Sequence, residues 1–355
     1  MEEIDENFRV QTNLDRNDLY FYDALQLPFR SYGLLYENGR YRRMPEAVAR
    51  CISDGVYGMH GNTAGGRLCF QTDSPVIAIW AKRGDVYRAD HFPLTGSASF
   101  DLYVGAGDRQ KFVTTLCSTL PIEEDYQASY DFGHRQMRQI TLNFPTYCDV
   151  IYISIGLHKD AVVEEFHPYK NPRPWVFYGS SITQGGCASH PGNAYPSILS
   201  RNYAVDIVNL GFSGNAKGEQ AMADYIAGLD MDLFFFDYDY NAPDVEHLKN
   251  THEKMFRTIR QAQPNLPIIL MTAITKTEEQ MQKERADVIY RTYTNAISDG
   301  DLNVYFWNGK TGFAPYEEYG TVEGIHPNDH GFWGMAQSLQ MLINDLDLFH
   351  ECSIS

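Results

Sequence analysis

The chain has 355 residues, of which 43% are hydrophobic and 21% charged, a globular composition that excludes a disordered or collagen-like chain. Its formal charge of −17, from 46 acidic and 29 basic residues, argues against nucleic acid and anionic membranes as partners. The length predicts two domains rather than one.

Both the N-terminus and the cysteines indicate the compartment. MEEIDENFRV is acidic and lacks the regions of a signal peptide, and no apolar run reaches the roughly 18 residues of a membrane helix. We therefore expect a soluble, cytoplasmic protein, although a secreted protein trimmed of its signal peptide would look the same. The cysteines show no CxxC spacing and are predicted to be free thiols, with Cys187 a small buried residue. They are Cys51, Cys69, Cys117, Cys148, Cys187 and Cys352.

From Tyr20 to about Phe166 the chain consists of short apolar or alternating runs separated by turn residues. Strands at this spacing, rich in β-branched and aromatic residues, are typical of an antiparallel sandwich. We predict an N-terminal, jelly-roll-like β-sandwich domain over residues 1–170. Its strands are RLCFQT, VIAIWAK, SFDLYVG, KFVTTLCSTL, ITLNF and DVIYISIGL.

The proline-rich stretch 167–174 predicts a linker, beyond which the pattern changes. Strand-length apolar runs now alternate with helix-length stretches, such as Asp244 to Gln263, which indicates crossover units and a parallel sheet. A final helix is predicted after Asn328 and Asp329, either of which can cap it. Residues 171–355 are thus predicted to be a three-layer α/β/α domain. Its strands are PWVFYG, VDIVNLG, DLFFFDY, LPIILMTA and LNVYFW.

Polar residues follow four of these strands, and loops at the carboxyl ends of parallel strands meet at one edge of the sheet. There the chain places Ser180 and Ser181, then Gly214, then Asn241, and after the last strand Glu323 with His326. A serine, a histidine beside a carboxylate, and glycine or amide donors are the groups that acyl transfer through a serine nucleophile requires.

Each of these residues also has a purely structural interpretation. Ser181 begins Ser-x-x-Gln, the pattern of a helix N-cap, and Ser180 fits a turn equally well. Gly214 fits a tight turn, and Asn241 fits the start of the next helix. His326, before a proline, fits a solvated loop. The coincidence at four strand ends favours the catalytic interpretation.

The blocks GSSIT, GFSGN, DYDYN and GIHPND, in this order, resemble the SGNH hydrolases, also called the GDSL esterase and lipase superfamily, from Trp175 to about Leu348. The resemblance implies a flavodoxin-like sheet with Ser181, the serine before isoleucine, as nucleophile. It implies Gly214 and Asn241 as oxyanion-hole donors beside the Ser181 amide, and His326 as general base.

Two acidic residues, Glu323 and Asp329, lie within three positions of His326 in the sequence. The family usually has aspartate three residues before the histidine, where this chain has Glu323. We expect Glu323 to complete a triad by orienting His326, and the alternative is a Ser-His dyad supported by a backbone carbonyl. Asp329 is expected to cap the final helix.

The stretches TAGGRLCFQTDSP and SFDLYV are similar to the β-sandwich module that precedes SGNH domains in bacterial proteins associated with carbohydrate deacetylation. This similarity favours acetylated oligosaccharide, or another small ester, as substrate. It also suggests a carbohydrate-contacting first domain whose loops form one wall of the cleft.

The leading hypothesis is a serine esterase that removes short acyl groups, acetyl above all, from carbohydrates through an acyl-enzyme on Ser181. No metal and no cofactor are predicted. One alternative keeps the chemistry and makes the protein a short-chain lipase or thioesterase. The other is a catalytically degenerate carbohydrate-binding protein, prompted by Ser180 and Glu323 departing from the usual pattern. The sequence leaves the oligomeric state undecided.

Overall fold

The computed structural model describes residues 16–118, 122–171, 173–274 and 279–349. Within these ranges the first half forms three antiparallel sheets, one of them only two-stranded, and the second half forms a parallel sheet with helices on both faces. This architecture confirms the predicted fold class. Cys352 lies outside the described residues, and the described cysteines are free thiols as predicted.

Two antiparallel sheets enclose the first core. One has the strand order β1-β11-β6-β9, and the other has β12-β5-β10-β7-β8, with β2 also paired to β5. Apolar side chains from both sheets, such as Phe70, Ile79 and Leu142, are fully buried between them. The strands are β1 (Leu19–Asp23), β2 (Arg30–Tyr32), β3 (Leu35–Glu37), β4 (Arg40–Arg42), β5 (Arg67–Thr72), β6 (Val76–Val86), β7 (Phe100–Val104), β8 (Lys111–Leu116), β9 (Asp125–Asp131), β10 (Arg138–Asn143), β11 (Cys148–His158) and β12 (Val163–Glu164).

The second half is built on a parallel sheet with the order β14-β13-β15-β16-β17 in the described part of the chain. The strands are β13 (Trp175–Gly179), β14 (Ile207–Gly211), β15 (Leu233–Asp237), β16 (Ile268–Met271) and β17 (Val304–Trp307). The helices are α4 (Ser181–Gln184), α5 (Tyr195–Tyr203), α6 (Gln220–Ala227), α7 (Val245–Ala262), α8 (Glu279–Ser298), α9 (Gly309–Phe313) and α10 (Asp329–Asp345).

Burial on both faces explains why these strands are continuous apolar runs rather than alternating ones. Phe177 and Phe235 are neighbours in register and stack at a centroid distance of 4.1 Å in the core shared with α5 and α10. Tyr178 and Phe236, one position later, enter the opposite core with α6 and α7. The sheet order is that of a flavodoxin-like fold and brings the ends of β13, β14 and β15 side by side.

The structure also contains helices that the sequence analysis missed: α1 (Glu46–Ile52), α2 (Asp54–Met59) and α3 (Leu94–Ser97). Ala49 of α1 and Val56 of α2 are fully buried and belong to the core of the second half. The predicted boundary at 170/171 lies between β12 and β13 and stays a prediction. In packing terms, a segment of the first half completes the core of the second.

The N-terminus of the final helix differs from the prediction. The Asn328 side chain accepts a hydrogen bond from the Gly331 amide and is the N-cap of α10. The expectation that Asp329 caps this helix is therefore wrong. Asp329 is the first helical residue, and its carboxylate instead accepts hydrogen bonds from the backbone amide of Ser189, at 2.8 Å, and from the Ser189 hydroxyl. It therefore joins α10 to the loop after α4.

None of the helices in the described part of the chain combines the length and the apolar character needed to span a bilayer.

Asp101, in the SFDLYV stretch, joins the two halves through a buried carboxylate. Its Oδ2 atom accepts from the Gly192 amide at 2.6 Å and lies 2.7 Å from His190 Nδ1. Its Oδ1 atom accepts from the Asn143 side chain at 2.6 Å. Asp101 has no exposed surface, so these contacts are shielded from water.

Replacing Asp101 by asparagine should lower the free energy of unfolding by about 2–4 kcal/mol. The new NH₂ group would replace one carboxylate oxygen, so a buried hydrogen-bond donor would lose its acceptor. Urea unfolding monitored by tryptophan fluorescence measures the effect. Asp125→Asn, at an exposed position of β9, is the matched control and should change stability by less than about 0.5 kcal/mol. Equal stability of the two variants would contradict the proposed docking role.

Candidate active site

Ser181 lies directly after the first strand of the parallel sheet. The Ser180 side chain accepts from the Ile182 amide at 3.2 Å, so Ser180 is the N-cap of α4 and Ser181 is its first residue. The capping interpretation therefore applies to Ser180, not to Ser181. Ser181 retains 9% of its surface, and its Oγ atom lies 2.8 Å from Nε2 of His326.

His326 and Glu323 are held by a tight loop before α10. The Val322 amide donates to the His326 carbonyl at 2.9 Å, and Thr321 pairs with Pro327. The Glu323 carboxylate accepts hydrogen bonds from the His326 amide, at 3.1 Å, and from His326 Nδ1. With Nδ1 donating to the carboxylate, Nε2 is free to accept the Ser181 proton. The extra methylene of Glu323 therefore does not prevent the contact on which the triad hypothesis depends.

The surroundings of Glu323 keep it charged. Partial burial alone would raise its pKa, but the hydrogen bonds from the His326 side chain and backbone outweigh this and hold the pKa below its ordinary value. A carboxylate that is ionised near neutral pH can fix the histidine tautomer and stabilise an imidazolium.

The predicted oxyanion-hole residues lie on the next two strand-end loops. Gly214 has a φ of 68°, in the left-handed region where glycine is favoured, on the turn after β14. Asn241 ends a short 3-10 helix after β15, and its side-chain oxygen accepts from the Ala216 amide at 3.4 Å. This contact joins the two loops and leaves the Asn241 side-chain nitrogen as the donor end. Donation to an oxyanion by these groups stays a prediction.

Gln184 is a functional candidate that the sequence analysis considered only as part of a capping pattern. It is fully buried, and its side-chain oxygen accepts from the Ser213 amide at 3.0 Å. Its nitrogen donates to Asn62 at 3.1 Å and to the Thr146 carbonyl at 3.0 Å, both in the first half. Gln184 therefore fixes the loop that carries Gly214 against the β-sandwich. The signal in the sequence was that Gln184 ends the Ser-x-x-Gln pattern. Ser181, which begins this pattern, is not the N-cap of α4.

The first half also contributes a wall beside His326. The Phe92 ring lies 5.7 Å from the His326 ring, and the His91 ring lies 5.0 Å from it, centroid to centroid. A cleft of about 550 Å³ opens there between the two halves. It is lined by Asp90, His91, Phe92 and Pro93 from the sandwich, and by Cys187, Ser189, Val322, Asn328, Asp329 and His330.

Asp237, at the end of β15, is a buried acid in contact with the helical turn that begins at Ser181. It is 3% exposed and accepts from the Thr183 hydroxyl at 3.0 Å and from the Tyr195 hydroxyl at 3.4 Å. Burial raises its pKa to about 7, against an ordinary value of 3.8. The folded protein therefore retains a proton that the unfolded chain releases in mild acid.

This retained proton predicts a pH dependence of stability. Between pH about 4 and about 7 the unfolded chain has lost the proton of Asp237 and the folded protein has not, so the free energy of unfolding falls as pH rises. The loss through this group is on the order of 4 kcal/mol and is complete above pH about 7. Asp237→Asn should flatten the dependence, measured by urea unfolding at pH 5 and pH 8.

Asp108→Asn, at an exposed position, is the control for general charge effects. Its free energy of unfolding should change between pH 5 and pH 8 as much as that of the parent. If the free energy of unfolding of Asp237→Asn changed with pH as much as that of the parent, groups other than Asp237 would cause the pH dependence.

Comparisons with known proteins identify the family to which both halves are similar. A sequence profile of the GDSL-like Lipase/Acylhydrolase family matches residues 172–344, and one for the N-terminus of SGNH-hydrolase-type esterases matches residues 19–163. A search of curated proteins found no match.

Solved structures show the same arrangement of both halves. A GDSL-like lipase from Bacteroides ovatus is 28% identical with a TM-score of 0.84, covering 92% of this chain and 98% of its own. A salicylyl-acyltransferase from a tetracycline biosynthetic pathway is 19% identical (TM-score 0.76; 94% and 98% covered). An acetyl xylan esterase from Butyrivibrio proteoclasticus is 13% identical (TM-score 0.59; 94% and 100% covered). With both profiles matched and the fold shared throughout, the chain belongs to the SGNH hydrolases, the GDSL esterase and lipase superfamily, and carries the N-terminal β-sandwich that accompanies this type of esterase.

Proposed function

We propose that the protein is a serine esterase that hydrolyses short acyl esters of carbohydrates, acetyl esters above all, through an acyl-enzyme on Ser181. The observation that carries the proposal is the 2.8 Å contact between Ser181 Oγ and His326 Nε2, with the Glu323 carboxylate bonded to the opposite nitrogen of the same ring. A serine hydroxyl becomes an effective nucleophile only when a neutral imidazole accepts its proton in this way.

The reaction follows from these contacts. Ser181 Oγ attacks the ester carbonyl while its proton passes to His326 Nε2, and Glu323 stabilises the resulting imidazolium. The amides of Ser181 and Gly214 and the side chain of Asn241 are assigned to the oxyanion, each donor being worth about 10²- to 10³-fold in rate. His326 returns the proton to the departing alcohol oxygen. Water, deprotonated by His326, then releases the acid and restores Ser181.

The cleft beside His326 fits a small substrate that has both apolar and polar parts. Its lining combines aromatic Phe92 with polar Ser189, Asn328 and Asp90, and its volume of about 550 Å³ can accept a short acyl group and part of a sugar. The acetyl xylan esterase shares the fold of both halves, so acetylated oligosaccharide is the substrate class that we test first.

The two alternatives differ in what they require of the site. A lipase or thioesterase uses the same Ser181 chemistry with another leaving group. A degenerate binding protein needs no contact between Ser181, His326 and Glu323, so the assembled hydrogen bonds favour an enzyme.

Acetate release from acetylated xylo-, manno- and pectic oligosaccharides, combined with a chain-length series of p-nitrophenyl esters, tests the proposal. We expect acetate release from at least one oligosaccharide and a kcat/KM that falls beyond butyrate. Activity that rises beyond butyrate would favour the lipase. If a fluorophosphonate probe fails to label Ser181 while oligosaccharide still binds, the hypothesis of a degenerate carbohydrate-binding protein is correct.

A further inference from the structure

Three potential metal ligands from the two halves of the chain meet beside the candidate active site. One ligand atom each from His91, Cys187 and His326 lie within 4.8 Å of one another. His91 comes from the loop after β6, Cys187 follows α4, and His326 precedes α10. The cluster therefore depends on the docking of the sandwich against the hydrolase half.

One nitrogen of His91 is available to a ligand. Its Nε2 atom is buried and has no hydrogen-bond partner in the described part of the chain. A buried polar atom without a partner destabilises the folded chain, and a metal bound to this nitrogen would give it a partner.

The other two ligands are already oriented. Glu323 holds Nδ1 of His326, which leaves Nε2 as the coordinating atom. A carboxylate behind a ligating imidazole is the usual outer contact of zinc-binding histidines. The Cys187 thiol lies 3.4 Å from the His91 carbonyl, and its residue is held at a φ of 70°, a conformation that non-glycine residues adopt only at a cost.

The ligand set selects the metal. Two imidazole nitrogens and one thiolate suit Zn²⁺, with water in the fourth position. Bond lengths of about 2.0–2.3 Å place tetrahedral ligands about 3.5 Å apart. The ligand atoms, now within 4.8 Å of one another, would therefore have to approach by about 1 Å to hold the ion.

We propose that His91, Cys187 and His326 form an inhibitory Zn²⁺ site. The metal binds the Nε2 lone pair of His326, which then cannot accept the Ser181 proton. The Cys187 thiol releases its proton to solvent when it coordinates, and no group is oxidised or reduced. Inhibition rests on the proposed esterase function, whereas zinc binding itself does not.

The thiol is protonated before the metal binds. Burial, together with the nearby Glu323 carboxylate, raises the pKa of Cys187 to about 12. Zn²⁺ must therefore displace this proton, and coordination by a thiol is itself sufficient to deprotonate it.

Co²⁺, a spectroscopic substitute for Zn²⁺, tests binding on the full-length chain under reducing conditions. We expect one equivalent to produce a thiolate-to-cobalt charge-transfer band that Zn²⁺ abolishes. In parallel, Zn²⁺ should inhibit p-nitrophenyl acetate hydrolysis, and a chelator should restore it. Cys187→Ser and His91→Gln should each weaken Zn²⁺ inhibition by about 10- to 100-fold relative to their own metal-free activity.

Cys117→Ser, which removes an exposed thiol, is the matched control and should respond to zinc as the parent does. Absence of the thiolate band in the parent, or unchanged zinc inhibition in both ligand variants, would overturn the proposal. Ser181→Ala separates the two hypotheses because Ser181 is not a ligand. This variant should keep the cobalt band, so metal binding is decided even if the parent hydrolyses no ester.

Discussion

Replacing Ser181 by alanine is expected to lower kcat for p-nitrophenyl acetate by about 10⁴- to 10⁶-fold. The reason is that Ser181 Oγ forms the covalent bond in the proposed mechanism, and it is this hydroxyl that lies 2.8 Å from His326 Nε2. Residual turnover would come from water activated by His326 and from the oxyanion donors. Steady-state hydrolysis measures the loss, and circular dichroism confirms the fold.

Ser180→Ala is the control, because it changes the neighbouring hydroxyl. Ser180 is fully buried and caps α4, so its loss should cost about 1 kcal/mol of stability. Its activity should fall by less than about tenfold. An inactive Ser180→Ala beside an active Ser181→Ala would show that the wrong serine was assigned.

The sequence predicts the second half well because its physical signals are local. Runs such as WVFYG are apolar throughout since both faces of the parallel sheet are buried, and α7 repeats its apolar positions at helical spacing. Order along the chain then places Ser181, Gly214, Asn241 and His326 at one edge of the sheet. The contact between Ser181 and His326 follows from this topology.

The parts that could not be predicted depend on contacts between distant segments. Gln184 binds Asn62 and Thr146, more than 30 residues away, and nothing in its local sequence indicates those partners. His91 and Phe92 reach His326 only because the sandwich docks on the second half. Helices α1 and α2 have 7 and 6 residues, too short for a clear periodicity. Asn328 and Asp329 both fit a cap by type, and only geometry distinguishes them.

Replacing Glu323 by glutamine should lower kcat/KM by about 10²- to 10⁴-fold. Glutamine keeps the size of the side chain and can still accept from the His326 amide, but it removes the charge that stabilises an imidazolium. Because hydrogen bonds hold the pKa of Glu323 below its ordinary value, this stabilisation is present at neutral pH and is lost only in acid, as the pH falls through the lowered pKa. Hydrolysis of p-nitrophenyl acetate at about pH 7 measures the effect.

Two further variants decide between the triad and the dyad. Glu323→Asp restores the charge and the residue type usual at this position, but its carboxylate is one methylene further from Nδ1, so we expect activity between that of Glu323→Gln and the parent. Glu318→Gln, an exposed change in the same loop, should leave turnover within about twofold of the parent. If Glu323→Gln loses less than about tenfold while Ser181→Ala is inactive, His326 acts without a carboxylate. The hydrogen bond to Nδ1 would then position the ring without contributing its charge to the reaction.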